Sequence, residues 1–494
     1  MAHPPRATNP DIEGDVPDEV TQFLTDLNRA LLAKDQVEAH ALYETQYPQL
    51  THTFFTNKAP RGQVLPFRTW PNLKFVKQCF THPTTELLYQ MLFARHLFTD
   101  RNVSANVRIK SWETFSELFQ VLMEPNPAVD LPNGWLWDIL DEYMFQLQTH
   151  HNRRLRNESN FPSGVWNISA VTEKLAEIVK KSDVLNVLKQ VSTGKMQPAD
   201  FFVSDKDHVR RTLGLFAIIT QMRLSVAVGD YNGALAAIEP LQVFTTGRLI
   251  TQRAAPAHVA LFYNLGFSYL MLRRYTDAAS TLKLAMSVKA VNRTYVDALQ
   301  AQVVSLMSIS ATLGCLPSED FSAFLTEKAR SMQEDDAQLL GQGDLDRFRD
   351  VFLKACPKFI SIVDPNSTTY QEFTGQEGKE LQLRVFMRAV QQQVDALRLR
   401  GYLRVYSTIN GSKIESLMGS SATPHSAYAH LACLKRKSVE RVHDGSSSDP
   451  LSGSLKSTAA IDFVVNMDKV SVIHRREQVS VSKRFVALLE QLQS

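Results

Sequence analysis

The sequence contains little cysteine and no long uninterrupted apolar run. Four cysteines occur among 494 residues and none forms a CxxC pair, so we expect neither a disulfide framework nor a zinc site. The longest apolar runs, such as LGLFAII at 213–219, are far shorter than the roughly twenty residues that cross a membrane. The Pro-rich, acidic start also lacks the apolar core of a secretory signal. These absences favour a cytosolic or nuclear protein with no membrane span.

The motifs of the common catalytic sites are missing as well. Gly194 and Lys195 lack the upstream glycine of a phosphate-binding loop, and Met196 stands where that motif has serine or threonine. HExxH and GxSxG do not occur, and the adjacent His150 and His151 would point in different directions from a helix. We therefore expect no enzymatic activity, no metal site, no cofactor and no small-molecule substrate.

Charge is unevenly distributed along the chain. The formal net charge is only +3. Residues 1–60, however, carry four basic and nine acidic side chains, whereas residues 381–494 carry sixteen basic and nine acidic ones. The composition, with 44% apolar and 21% charged residues, is that of a globular protein, and the length allows about two to four domains. The basic end of the chain is its C-terminal part.

Most of the chain has the apolar periodicity of helices. A Pro-rich, acidic tail at 1–13 is predicted to be disordered. From residue 14 to about residue 360 the period is helical, with almost no strand signal, and short breakers such as EPNPAVDLPNG and NFPSGVWN separate the segments. This pattern predicts a succession of helical hairpins.

Two of these hairpins resemble each other. LSVAVGDYNGALAAI and SYLMLRRYTDAASTL align Tyr231 with Tyr275 and Ala234 with Ala278. Small alanines let two helices approach closely while the tyrosine ring fills the turn, as in tetratricopeptide-like repeats. We therefore predict a mainly α protein whose residues 14–360 form degenerate repeats in a right-handed helical (TPR-like) solenoid. Ordinary antiparallel helix pairs are the alternative.

The region at 361–478 changes character. SKIESLMG and HSAYAHLACLKRK have the pattern of two short helices separated by a turn, and AIDFVVNMDKVSVIH contains two short β-rich runs around a turn at 466–469. A helix-turn-helix followed by a β-hairpin is a winged helix. RVHDGSSSDPLSGSLKST, which lies between them, is predicted to be a flexible loop. A terminal amphipathic helix is predicted at 479–494.

LPNGWLWDILDEYMFQLQ at 131–148 raises the question of an active site, because it places Asp138, Asp141 and Glu142 among aromatic residues. At 100° per residue, most of its apolar side chains form one broad face and the three acids lie on the other. Trp135 and Phe145 are the exceptions, because they fall on the polar side. No companion His or Cys stands at ligand spacing. We interpret this helix as a packing element that touches two neighbours.

Two features of the C-terminal part indicate interaction surfaces. Basic residues end the second helix of the helix-turn-helix and follow the wing, where they could contact phosphates: Lys435, Arg436, Lys437, Arg475 and Arg476. The alternative is that these cations stabilise the helix dipole. The second feature is apolar. The hairpin has alternating apolar residues and an open sheet edge that could pair with a partner, and the terminal helix has one apolar stripe. The candidate partner-binding residues are Ile461, Phe463, Val465, Val470, Val472, Phe485, Leu488 and Leu489.

Several motifs together resemble one protein family. LPNGWLWDILDEY is similar to the tryptophan motif of the L subunit of eukaryotic translation initiation factor three, a PCI-domain family. Further agreements follow in order from about residue 80 to the end: VWN at 165, VGDY at 228, GFSYLMLRRYTDA at 266, CPKF at 356, VQQQ at 390 and IDFVV at 461. The long N-terminal tail of that family is not matched, and the Ser- and Gly-rich loop at 439–458 departs from its pattern.

This resemblance implies a non-catalytic scaffold in the cytoplasm. PCI subunits of the factor join through their winged helices, gather their C-terminal helices in a bundle and sit on the small ribosomal subunit. The implied partners are therefore other PCI subunits and the small ribosomal subunit, with contact to RNA left open. Two alternatives remain: a subunit of the proteasome lid or the COP9 signalosome, and an autonomous winged-helix protein that binds nucleic acid.

Overall fold

The computed structural model describes residues 16–55, 69–99, 103–153, 166–288, 294–314, 338–361, 375–419, 426–443, 445, 447–457 and 461–474. These residues fall into two compact units. The first runs to Leu261 and includes residues of Lys358–Lys379 and Ser448–Pro450. The second takes residues of Phe262–Pro357 and Glu380–Ser447 and those from Leu451 onwards. The predicted boundaries at 13, 360 and 478 stay predictions, and the predicted terminal helix lies outside the described residues.

The first unit is built from helices. In chain order they are α1 Asp18–Leu32, α2 Gln36–Ala41, α3 Tyr47–Phe54, α4 Leu73–Val76, α5 Pro83–Leu97, α6 Ala105–Leu122, α7 Asn133–Arg153, α8 Ile168–Lys181, α9 Val184–Ser192, α10 His208–Val228, α11 Tyr231–Ala237 and α12 Thr246–Thr251. A π-helical turn, Leu42–Gln46, joins α2 to α3, and 3-10 turns occupy Pro198–Phe202 and Glu239–Leu241.

Helix α10 is the central helix of this unit. Most of its residues are buried, and α7, α8 and α11 all pack against it. It ends at Gly229, whose φ of 87° is the left-handed conformation that favours glycine at a helix C-terminus. The side chain of Asp230 then accepts a hydrogen bond from the backbone N–H of Gly233 and so caps α11. The sequence Val-Gly-Asp-Tyr thus specifies a tight helical hairpin.

Helix α13, Ala255–Met271, and helix α14, Tyr275–Ala285, form the hairpin that the sequence aligns with α10 and α11. Tyr275 and Ala278 are buried at the turn. A β-carbon at Gly266 would lie 2.5 Å from Cγ of Leu282, so glycine is needed at this contact between the two helices. The predicted helical-repeat architecture is confirmed.

The second unit continues with further helices and all the regular strands of the described residues. They are α15 Thr294–Gly314, α16 Leu345–Ala355, α17 Glu377–Val405, β1 Thr408–Asn410, α18 Gly411–Met418, α19 Ser426–Lys437, β2 Val439–Val442, β3 Ser454–Ser457, β4 Ile461–Asn466 and β5 Lys469–His474. The first three residues of α17, 377–379, are assigned to the first unit and the rest of the helix to the second.

The C-terminal end of the second unit is a winged helix, as predicted. Strands β1, β5 and β4 form an antiparallel sheet in that order, and helices α18 and α19 pack against each other. Its core consists of residues from all these elements and from the end of α17: Leu399, Leu403, Ile409, Ile414, Ala427, Leu431, Leu434, Ile461, Phe463 and Val470. The wing turns at Met467, which has a φ of 52° and is 92% exposed.

The loop predicted to be flexible at 441–458 forms regular structure in part. Val439–Val442 pairs with Ser454–Ser457 in an antiparallel two-stranded sheet, hereafter the linker hairpin. Glu440 is buried despite its charge. The prediction from Ser and Gly content was therefore wrong at both ends of this segment, because its strands are stabilised by contacts with residues more than 160 positions away.

Within the described residues, two helices are long and apolar enough to cross a membrane by length and composition alone, His208–Val228 and Val296–Gly314. In their most apolar windows, 78% and 50% of the residues are buried inside the structure. Core helices of helical proteins pass the same test, since they too are apolar on most sides. The expectation that the chain has no membrane span stays a prediction, and this burial favours it.

Candidate interaction surfaces

The tryptophan-rich helix α7 packs against neighbours on more than one side. Trp135, which falls outside its main apolar stripe, is 1% exposed and stacks on Tyr43, with ring centroids 4.4 Å apart. The Tyr43 hydroxyl donates to Asp138 Oδ2 over 2.7 Å, and Arg95 donates to the same oxygen over 3.2 Å. The π-helical turn at Leu42–Gln46 carries this tyrosine.

The other two acids of α7 have partners of their own. Asp141 accepts from Arg223 over 2.6 Å, and that guanidinium also lies over the Trp137 ring at 5.2 Å. Glu142 accepts from Gln146, and burial raises the pKa of its carboxyl group. A catalytic pair would need two carboxylates that converge on a cleft. The contacts of these acids are instead those of a packing element.

A buried polar network that the sequence analysis missed joins α10 to the loop before α7. His208 Nδ1 lies 2.7 Å from Asp130 Oδ1, and its Nε2 lies 3.0 Å from Asn133 Oδ1. Ser204 and Gln36 donate to the other oxygen of Asp130. Burial by itself would raise the pKa of Asp130, but the hydrogen bonds from His208 and Ser204 lower it overall.

The residue types of this network are those of a hydrolase triad, but their connections differ. In a triad the histidine accepts the proton of the serine hydroxyl. Here the Ser204 hydroxyl donates to the carboxylate of Asp130, and the free side of the His208 ring faces an amide oxygen of Asn133. His208 is completely buried. The arrangement therefore serves to join the elements around α10.

Strand β4 is the edge strand of the winged-helix sheet. Within the described residues its only sheet partner is β5. The backbone N–H of Phe463 bonds to the side chain of Asp462, and Val472, its partner residue on β5, donates its own N–H to Ser407 on the far side of that strand. Successive N–H groups along a strand point to opposite sides, so residues two positions apart point the same way. The N–H of Val465 therefore points to the open edge, as that of Phe463 does. The edge therefore offers backbone groups to a partner strand.

The structure divides the apolar residues predicted for partner binding. Ile461, Phe463 and Val470 lie in the core, and Val472 is partly buried against it. Val465 is 39% exposed. Apolar side chains that the sequence analysis did not select are also exposed around this strand: Val464, Met467 and Ile473. Phe485, Leu488 and Leu489 lie outside the described residues.

In the predicted basic cluster at the end of α19, the Lys435 side chain is 63% exposed. Lys435 lies 3.4 Å from Asp462 Oδ1 and over the Phe463 ring. Lys437 is half-buried, and burial lowers the pKa of its amine. Arg436 is exposed. Arg475 and Arg476 lie outside the described residues. Lys435 and Arg436 are therefore open to solvent, and the pair with Asp462 is a surface ion pair of the kind that contributes little to stability.

Residues 107–492 match the model of the family described as Paf67, RNA polymerase I-associated factor PAF67. The chain belongs to the PAF67 family. Its relatives include proteins named eukaryotic translation initiation factor 3 subunit L from Nematostella vectensis, 29% identical over 92% of this chain and 88% of the relative, and from Aedes aegypti and Anopheles gambiae, 26% and 27% identical with the same coverage.

The PAF67 match includes both α7 and the winged helix. The relatives confirm the resemblance to the L subunit that the motifs indicated, and they extend it. The motifs cover the chain from about residue 80, whereas the alignments cover 92% of it. The family therefore shares the helical region as well as the winged helix.

Proposed function

We propose that this PAF67-family chain is a non-catalytic structural subunit of eukaryotic translation initiation factor 3. In this role it holds other subunits in place on the small ribosomal subunit in the cytoplasm. The observation that carries the proposal is the similarity to proteins named as the L subunit, which extends over 92% of this chain and 88% of the relative. A match of that extent covers the whole architecture and not one shared module.

The open edge of β4 supports a defined mode of assembly. Addition of a partner strand to a sheet edge gives affinity through backbone hydrogen bonds, while side chains beside the edge give specificity. Val464, Val465 and Met467 are exposed beside this edge. The proposed partner is the winged helix of another PCI subunit. Phe485, Leu488 and Leu489 are proposed to pack against the C-terminal helices of neighbouring subunits.

Direct binding of nucleic acid by the winged helix is the alternative of a different class. It would need exposed cations on α19 and the wing. Of the three cations at the end of α19, Lys435 and Arg436 are exposed, but Lys435 already has Asp462 as a partner and Lys437 is half-buried, which leaves few cations for phosphates. The description of the family names RNA polymerase I, so that enzyme is a second competing partner, beside the proteasome lid and the signalosome.

Affinity capture of the tagged full-length chain, followed by mass spectrometry, tests the proposal. We expect other subunits of initiation factor 3 and proteins of the small ribosomal subunit, both resistant to nuclease treatment. Recovery of RNA polymerase I subunits, lid subunits or signalosome subunits in their place would refute the proposed assembly. Loss of all partners after nuclease treatment would favour the nucleic-acid alternative.

A further inference from the structure

The start of α14 holds a buried ion pair that contacts the linker hairpin. Arg274 Nε and Nη2 lie 2.7 and 2.6 Å from Asp277 Oδ2, and the two side chains are only 7% and 6% exposed. The backbone N–H of His443, directly after β2, donates to both oxygens of Asp277 over 3.0 and 3.2 Å. Asp277 therefore bonds to its own helix and to the linker hairpin.

Arg274 reaches the other end of the same loop. Its Nη1 donates to the carbonyl of Leu451 over 3.0 Å and its Nη2 to the carbonyl of Ser452 over 2.8 Å. Both residues lie just before β3. The guanidinium also lies over the Tyr269 ring at 4.7 Å. A single ion pair thus binds the chain where it leaves β2 and where it enters β3.

A third contact lies within strand β2. Glu440 is 8% exposed, and its carboxylate accepts from the backbone N–H and the hydroxyl of Thr276, over 3.2 and 2.8 Å. The first N–H groups of a helix have no partner inside the helix. Glu440 therefore caps α14 with a side chain that belongs to another part of the chain, and its charge is favourable near the helix N-terminus.

These contacts matter because the linker hairpin lies between the helices and the wing in the sequence. Strand β2 follows α19 directly, and β3 precedes β4. A two-stranded sheet is marginal alone, and a buried ion pair is tolerated only when its remaining donors and acceptors are satisfied. Here the linker hairpin supplies the remaining hydrogen-bond partners of the ion pair, and the ion pair stabilises the linker hairpin.

We propose that Arg274 and Asp277 are positioning residues, which fix the winged helix in one orientation against the hairpin of α13 and α14. They act through the linker hairpin, with Thr276 and Glu440 as the second point of attachment. The consequence for assembly rests on the proposed function: the orientation of the winged helix sets the direction in which β4 presents its open edge to another subunit.

The orientation can be measured on the isolated full-length chain. Spin labels on Ser280→Cys of α14 and Met467→Cys of the wing give a distance distribution by pulsed electron resonance. Cys79→Ser, Cys315→Ser and Cys433→Ser prevent labelling elsewhere. We expect one narrow distribution in the parent chain. Asp277→Asn combined with Glu440→Gln should broaden it, with circular dichroism unchanged. A distribution that stays narrow in the folded double variant would overturn the proposal.

Trypsin cleavage provides a second readout that does not need labels. Arg441 and Lys456 lie on the two strands of the linker hairpin. Loss of charge-assisted hydrogen bonds favours local opening, so cleavage at these two residues should become about tenfold faster or more in the double variant. Unchanged cleavage there would also contradict the proposed role.

Matched variants separate positioning from general stability. Arg349 and Asp346 have the same spacing as Arg274 and Asp277 but are 52% and 85% exposed, so Asp346→Asn should leave the distances and the cleavage rates unchanged. Thr276→Ser, which keeps the hydroxyl, should behave as the parent, whereas Thr276→Val should not. If the double variant does not fold, Glu440→Gln alone decides, because it leaves the ion pair intact and weakens only the attachment of the hairpin.

These measurements distinguish the inference from the proposed function. The distances and the cleavage rates are properties of the chain by itself, so failure of affinity capture to recover initiation factor subunits would leave them unaffected. Conversely, a narrow distance distribution in every folded variant would refute the positioning role even if the parent chain assembles as proposed.

Discussion

The Tyr43 hydroxyl donates a hydrogen bond to Asp138 Oδ2 over 2.7 Å, across 95 positions of the sequence. Arg95 joins the same pair, donating to the tyrosine oxygen over 2.6 Å and to the carboxylate over 3.2 Å. The Asp138 carboxylate of α7 is therefore hydrogen-bonded by residues of two neighbouring elements. Its environment answers the question that the sequence raises about α7, since a residue with these contacts stabilises packing.

Asp138 and Glu142, one helical turn apart, should respond differently to neutralisation. Asp138→Asn weakens the hydrogen bonds from Tyr43 and Arg95 and should lower the free energy of unfolding by about 1–2 kcal/mol. Glu142→Gln should be neutral or stabilising at pH 7, because burial raises the pKa of that carboxyl group and its charged form is disfavoured.

Urea denaturation followed by circular dichroism measures both changes. Assembly with initiation factor subunits should survive in each variant, because neither acid belongs to the proposed interface. Loss of assembly in a variant that retains the parent stability would show that α7 has a functional role beyond packing.

Trp137 should be among the most sensitive residues of the first unit. It is 1% exposed and meets the Phe216 ring edge to face, with centroids 5.3 Å apart. Trp137→Ala should lower the free energy of unfolding by about 3–5 kcal/mol, as is usual for a large buried aromatic residue. Phe145→Ala on the same helix is the control, because this ring is 37% exposed. Equal losses in the two variants would contradict the packing described for α7.

The fold could be read from sequence where the determinants are local. Apolar periodicity, the Val-Gly-Asp-Tyr turn and the alternating residues of β4 and β5 all act over short distances, and they predicted the helical hairpins and the winged helix. The linker hairpin could not be predicted, because it depends on Arg274 and Asp277, far away in the chain. For the same reason composition alone suggested a flexible loop.

The candidate interface was predictable only in outline. Alternation identified β4 as a strand with Ile461, Phe463 and Val465 on one face, but the sequence did not show that Val465 would be 39% exposed while Phe463 is buried. That depends on register and on which helix covers the sheet. The network of Asp130 and His208 was missed because its members are 78 positions apart and no motif links them.

Asp130 should contribute stability that depends on pH. Its pKa is lower in the folded chain than its ordinary value of 3.8. A carboxyl group with a lowered folded pKa stabilises above its unfolded pKa, and this contribution is lost as the pH falls towards the folded value. The difference in unfolding free energy between the parent and Asp130→Asn should therefore shrink as the pH falls below 3.8. A difference that grows as the pH falls below 3.8 would contradict this assignment.

The basic cluster at the end of α19 should contribute little to ribosome or RNA binding. If Lys435, Arg436 and Lys437 all contacted phosphates, changing them to alanine would reduce the slope of log affinity against log salt by about three. We expect a much smaller change, because Lys435 pairs with Asp462 and Lys437 is half-buried. Alanine at three exposed lysines of the first unit, Lys189, Lys195 and Lys206, is the matched control.

The open edge of β4 as an assembly site is tested most directly by removing one backbone N–H. Val465→Pro deletes the N–H that points to the open edge, and proline is tolerated on the outer side of an edge strand. Val465→Thr keeps that N–H and serves as the control. Sucrose-gradient co-sedimentation with initiation factor subunits and small ribosomal subunits is the measurement, with circular dichroism to monitor the fold. We expect the threonine variant to co-sediment as the parent does and the folded proline variant to remain at the top of the gradient. Full co-sedimentation of the proline variant would contradict assembly through this edge.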